Sequence, residues 1–175
     1  MRLPDRIFSW IGRALKREVV PPLPPTRSPR DLVIILDGTL SKLDEGCETN
    51  AGLAYKLLRQ QRGTGFALYY EAGLQWDGWR DTAAIMTGNG IGGQIQRAYG
   101  WLASNYRPGD RIWLIGYSRG AYAVRSLAGI IGRIGLLKRD SATQRNEQAV
   151  YRLYCNPDRR ATIKAFRDSR CHENV

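Results

Sequence analysis

Arg111-Ile112-Trp113-Leu114-Ile115-Gly116-Tyr117-Ser118-Arg119-Gly120-Ala121 is the stretch on which the reading of the fold turns. Its first five residues form a short apolar run of strand length. From Ala121 onward Val124, Leu127, Ala128 and Ile131 recur at helical spacing on one side. Between the two stands Gly116-Tyr117-Ser118-Arg119-Gly120, a G-x-S-x-G pentapeptide. A serine held in a sharp turn between a buried strand and a helix is thrown clear of the sheet on a strained backbone. A side chain at 116 or 120 would collide with such a turn, and glycine at both positions removes the collision. The string alone is common, so its weight comes from the strand before it and the helix after it.

Working outward, Leu32-Val33-Ile34-Ile35-Leu36 is a continuous apolar run, as expected of a strand covered on both faces. Asn50 can cap a helix through about Gln60, with Leu53, Leu57 and Leu58 at helical spacing. Phe66-Ala67-Leu68-Tyr69-Tyr70 reads as a second strand. A glycine-rich stretch (Gly88, Gly90, Gly92, Gly93) leads into a helix with Ile95, Ala98, Tyr99 and Leu102 on its apolar face, closed by the turn Asn105-Tyr106-Arg107-Pro108-Gly109-Asp110. Alternating strands and helices predict an α/β fold: a mostly parallel sheet with helices on both faces. Ligands in such folds bind at the carboxyl ends of the strands. Here those ends carry Asp37-Gly38-Thr39, Glu71-Ala72-Gly73 and the Ser118 turn.

A serine hydroxyl attacks only if a base takes its proton and fixed donors receive the oxyanion. The Arg119 backbone N–H, at the start of the following helix, is the natural first donor. Gly38 and Thr39 are placed to offer the second, and Asp37 to orient that loop. The competing reading is a tight turn in which Ser118 merely caps its helix.

The chain has 175 residues, a length suited to one domain with a real core. Its 43% hydrophobic and 25% charged residues exclude disorder, and no apolar run reaches membrane-spanning length. The net charge is +11. Residues 1–30 contribute seven basic side chains against two acidic ones. Residues 1–29 read as an appendage: a basic amphipathic stripe (Ile7, Phe8, Trp10, Ile11, Ala14, Leu15) followed by a proline-rich spacer at 20–25. It suits an anionic membrane surface, or packing on the domain that occupies 30–175. Three cysteines without C-x-x-C spacing make neither a disulfide framework nor a metal site, so neither metal nor cofactor is expected. No secretory leader pattern is present, which predicts a cytoplasmic protein in the producing cell, with specialised secretion or peripheral membrane association left open.

Asp37-Gly38-Thr39, Thr49-Asn50, Tyr69-Tyr70 with Gly73, the glycines at 88–93, Tyr106 to Asp110, Gly116 to Ala121, Arg125-Ser126-Leu127-Ala128-Gly129 and Gly135-Leu136-Leu137 follow one another in that order. This resembles the uncharacterised α/β-hydrolase-like family related to bacterial type VI secretion phospholipase effectors, from about Arg30 to the C-terminus. The resemblance implies a Ser–Asp–His hydrolase of ester bonds with lipid substrates, Ser118 matching the nucleophile. Relatives continue into a further strand and then the acid and the histidine. The single histidine here, His172, lies in what would be a loop before that strand, and Asp140, Asp158 and Asp168 read as surface charges. The expectation is therefore a domain truncated after the nucleophile half, inactive alone unless a C-terminal half or partner chain completes it. The alternative is a non-catalytic scaffold that binds anionic lipid, nucleic acid or a protein.

Rival motifs are weaker. Ile34-Ile35-Leu36-Asp37-Gly38-Thr39 resembles the D-x-D-G-T of haloacid-dehalogenase-type phosphatases, but Ile35 stands where the nucleophile should be. Gly88 to Gly93 satisfies G-x-G-x-x-G without a strand before it. The basic residues between 152 and 170 read as a solvated helical face, which disfavours nucleic acid as a partner.

Overall fold

The computed structural model describes residues 27–61, 65–73, 89–156 and 158–175. The amphipathic segment and proline spacer up to residue 26 lie outside the described residues, as does Gly88. Three strands, β1 (Asp31–Leu36), β2 (Phe66–Glu71) and β3 (Arg111–Gly116), form a parallel sheet in the order β2-β1-β3. Leu36 is level with Glu71 on one side and with Gly116 on the other, so all three strands end on one edge. Among the described residues five α-helices accompany them: α1 (Asn50–Gln60), α2 (Asn89–Asn105), α3 (Arg119–Arg133), α4 (Gln144–Cys155) and α5 (Arg160–Arg170). This is the α/β-hydrolase-like architecture that the alternation of strands and helices predicts.

Central β1 is apolar from Leu32 to Leu36 because both its faces are covered. Leu32, Ile34 and Leu36 join the main core, which draws Ile95, Ala98, Tyr99 and Leu102 from α2 and Ala123, Val124, Leu127 and Ile130 from α3. Val33 and Ile35 face the other way, onto Ala51, Ala54, Tyr55 and Leu58 of α1. The apolar face expected of α2 is thus the observed one. The faces of two other helices differ from expectation. Leu53 and Leu57 of α1 are exposed, because the helix meets the sheet through Ala51, Ala54, Tyr55 and Leu58 instead. On α3 the buried stripe runs through Ala123, Val124, Leu127 and Ile130, leaving Ala128 exposed. The cap of α1 is Thr49, not Asn50: the Thr49 hydroxyl accepts from the Gly52 N–H at 3.0 Å.

β3 is the outermost strand on its side of the described sheet. Trp113 is 53% and Ile115 37% exposed on one face. On the other, Ile112 and Leu114 with Ala128 and Ile131 line a cavity of about 500 Å³. At the opposite, amino-terminal edge of the sheet the turn before β3 is tied by Asp110. Its carboxylate accepts from Arg27 Nη1 and Nη2 (2.8 and 2.6 Å) and from the N–H groups of Arg30 and Arg107. The chain is therefore fastened to the domain from Arg27 onward.

Candidate functional site

The turn after β3 has φ 52° and ψ −121° at Ser118. This is a left-handed backbone that a residue with a Cβ adopts only at a cost of about 1–3 kcal/mol, met by the surrounding packing. Ser118 stands at the N-cap position of α3, yet its side chain makes no capping hydrogen bond, and the residue is exposed. The hydroxyl is thus held outward by the backbone rather than turned onto the helix, against the capping alternative.

The flanking glycines are demanded by contact with backbone. A Cβ on Gly116 would meet the Gly120 carbonyl oxygen at 2.5 Å, and one on Gly120 would meet the Leu36 carbonyl oxygen at 1.9 Å. The Tyr117 N–H also donates to that Leu36 oxygen, at 3.1 Å. The start of α3 therefore leans directly on the end of β1, bringing 116–120 against Asp37-Gly38-Thr39. A Cβ on Gly38 would lie 3.2 Å from that of Ser118. β2 contributes the third wall: a Cβ on Gly73 would meet the Gly38 oxygen at 2.2 Å, and the Gly73 N–H donates to that same oxygen.

Asp37 is fully buried and organises this loop. Its carboxylate accepts from the Gly38 N–H (2.7 Å), the Thr49 hydroxyl (2.7 and 2.8 Å) and the Tyr70 hydroxyl (2.9 Å). Burial, and then the Asp37 carboxylate, push the Tyr70 phenol up to about 12, which keeps it a donor. The Gly38 N–H is thus engaged by the Asp37 carboxylate. The Thr39 hydroxyl oxygen is buried without a hydrogen-bond partner among the described residues. Leu40, next in the loop, is the other described non-glycine residue with positive φ, at 57°. Both described non-glycine residues with positive φ thus follow the carboxyl end of a strand.

Thr49, Tyr70 and Gly73 belong to this arrangement, although the sequence assigned them no task. Their signal lay in the ordered set of motifs that carries the family resemblance and in their positions, Thr49 just before a helix, Tyr70 and Gly73 around the end of a strand.

His172 is elsewhere. Its backbone N–H donates to the Leu136 carbonyl oxygen at 2.8 Å and its ring packs edge-on against Tyr106, 5.0 Å between centroids. Tyr106 precedes β3, whereas Ser118 follows it, so the length of a six-residue strand, about 17 Å at roughly 3.3 Å per residue, separates the two. Burial, then Lys138, hold its imidazole below the ordinary histidine value, which favours the neutral form. Asp140, Asp158 and Asp168 are exposed. Among the described residues no three His, Cys, Asp or Glu side chains gather as a metal site would require.

A parallel sheet with a strained serine at the exit of one strand and a glycine loop beside it defines an α/β-hydrolase-like domain. The chain belongs to the family described as "T6SS, Phospholipase effector Tle1-like, catalytic domain", whose model matches residues 30–174. It is also 29% identical over 127 residues to an uncharacterized protein of Saccharomyces cerevisiae, an alignment covering 64% of this chain and 19% of that protein. The chain thus spans about a fifth of that relative's length. No solved structure matches.

Proposed function

We propose that this domain is the nucleophile-bearing part of a serine ester hydrolase acting on phospholipid-like substrates. Ser118 is the nucleophile, and the observation that carries this is its strained, outward-facing backbone without a capping bond. The Arg119 N–H, at the first helical position of α3, and the Thr39 backbone N–H receive the oxyanion. Asp37, with Thr49 and Tyr70, is the positioning group that keeps the Gly38-Thr39 loop against Ser118. Gly116 and Gly120 permit the turn. Family membership supports the lipid substrate.

The base is supplied by other polypeptide, because the single histidine lies at the wrong edge of the sheet. The outer side of β3 supports where that polypeptide docks. Its exposed Trp113 and Ile115, and the apolar cavity on its opposite face, suit a fourth strand that would deliver acid and base beside Ser118. The isolated chain then turns over esters very slowly, since a triad lacking a member retains only about 10³–10⁴-fold over water. Secretion as an effector accords with the family's description. Among the described residues no helix is long and apolar enough to cross a membrane, and a peripheral role on anionic lipid rests on the basic segment at 1–29.

The test is covalent labelling with a fluorophosphonate, imidazole being added in place of the base, and peptide mass spectrometry to locate the adduct. The proposal requires the adduct on Ser118 and none on Ser118→Ala. A folded chain left unmodified at Ser118 would favour the non-catalytic scaffold.

A further inference from the structure

A cavity of about 390 Å³ opens between α2, α3 and α4, and no role has so far been given to it. Ile91 and Ile95 form its α2 wall, Tyr122 and Ser126 its α3 wall, Tyr151 and Tyr154 its α4 wall. Its volume falls within the range of small-ligand sites, about 300–1,000 Å³. Its position relative to Ser118 follows from helix geometry. Tyr122 and Ser126 stand four and eight residues after Ser118, in the first turns of α3, so at about 1.5 Å per residue Tyr122 lies about 6 Å along the helix axis from the Ser118 turn.

The walls are mainly aromatic and aliphatic bodies, with Ser126 and Cys155 between them, and Tyr122 at the mouth is 64% exposed. The back is shaped around Tyr151. A Cβ on Gly92 would meet the Tyr151 hydroxyl at 2.7 Å, so glycine there is what lets this ring sit against α2. Burial first, then the Cys155 thiol and the phenols of Tyr122 and Tyr154, raise the Tyr151 pKa, as expected of groups crowded around one space.

We infer that this cavity receives one acyl chain of the ester whose carbonyl Ser118 attacks. The inference rests on the reading of Ser118 as nucleophile but concerns a separate binding event. A chain running from the carbonyl carbon at Ser118 would pass Tyr122, cover its exposed ring and end against Ile95 and Tyr151. Each methylene drawn from water contributes about 0.8 kcal/mol, or roughly fourfold in affinity, until the cavity is full.

Cys155 lines the same cavity and is exposed, Cys47 is exposed outside it, and Cys171 is buried, so the chain carries its own reporter and control. The experiment follows the reaction of each cysteine with an aromatic disulfide reagent, by peptide mass spectrometry, in the presence of butanoate, hexanoate, octanoate or decanoate. The expected result is protection of Cys155 alone. Its half-protecting concentration should fall about fourfold per methylene and then level off. Tyr122→Ala, a change at an exposed position, should weaken protection several-fold, and Ser118→Ala should leave it unchanged. Equal slowing of Cys47, protection without chain-length dependence, or protection by tetramethylammonium in place of the fatty acids would overturn the assignment. Protection of Cys155 in a chain that fluorophosphonate does not label would leave the acyl site standing and remove the hydrolase reading; labelling without protection would do the reverse.

Discussion

Substituting alanine for glycine twice in α3 separates the demands of the Ser118 turn from those of an ordinary helix. At Gly120 the added Cβ would lie 1.9 Å from the Leu36 carbonyl oxygen, 2.5 Å from its carbon and 2.7 Å from the Asp37 oxygen. All three are backbone atoms at the end of the central strand, so no side-chain rotation relieves the overlap and the helix start must move. Overpacking of a close-fitted site costs about 1–3 kcal/mol, and contact with backbone places this change at the upper end. Alanine returns up to about 1 kcal/mol through helix propensity. The net loss should be about 2 kcal/mol, which for a domain of this size lowers Tm by about 4–8 °C. At Gly132, in the same helix, a Cβ meets nothing within 4 Å. The same substitution there should raise stability by up to about 1 kcal/mol, or about 2–4 °C. Far-UV circular dichroism during heating of both variants and the parent gives the comparison. A Gly120→Ala variant as stable as the parent would show that α3 does not lean on β1, and the argument for an enforced turn at Ser118 would fail.

Three further outcomes are expected. Tyr70→Phe removes one of the donors to the buried Asp37 carboxylate and should cost about 1–3 kcal/mol in urea unfolding, while slowing fluorophosphonate labelling of Ser118 by loosening the Gly38-Thr39 loop. Burial acts to raise the Asp110 pKa, but the Arg27 guanidinium and the N–H groups of Arg30 and Arg107 outweigh it and hold the carboxyl below its ordinary 3.8. Its contribution is therefore complete above that value and lost as pH falls through the lower folded one, so Asp110→Asn should flatten the acid limb of a stability–pH profile. Leu57→Gln should change stability by no more than about 0.5 kcal/mol in urea unfolding, because the residue is 62% exposed, whereas Leu58→Ala, which uncovers Val33 and Ile35, should cost more than about 1 kcal/mol.

Much of the architecture was legible because its signals are local. The apolar run of β1, the face of α2 and the glycines around Ser118 each reflect one element meeting one neighbour. Leu53 and Leu57 misled because apolar spacing marks which residues can be buried. Which of them are buried depends on which face α1 turns to the sheet, and here that face carries Ala51, Ala54, Tyr55 and Leu58. The Asp37 network was legible only in part. Asp-Gly-Thr at a strand end marks a ligand-binding edge, but Thr49 and Tyr70 reach the carboxylate from 12 and 33 residues away. Gly38 and Thr39 looked equivalent in sequence, and a single hydrogen bond to Asp37 distinguishes them. The place of His172 depends on the pairing of Leu137 with Cys171, a long-range contact that no periodicity announces.

The claim that Ser118 is a nucleophile awaiting a base is tested most directly by chemical rescue. Hydrolysis of a 4-nitrophenyl ester would be followed against imidazole concentration for the parent chain and for Ser118→Ala. Imidazole alone cleaves such esters, so the quantity of interest is the difference between the two. The account predicts a parent rate that rises with imidazole above the variant's, accompanied by a transient acyl adduct on Ser118. Superimposable rates, with no adduct at any imidazole concentration, would contradict it.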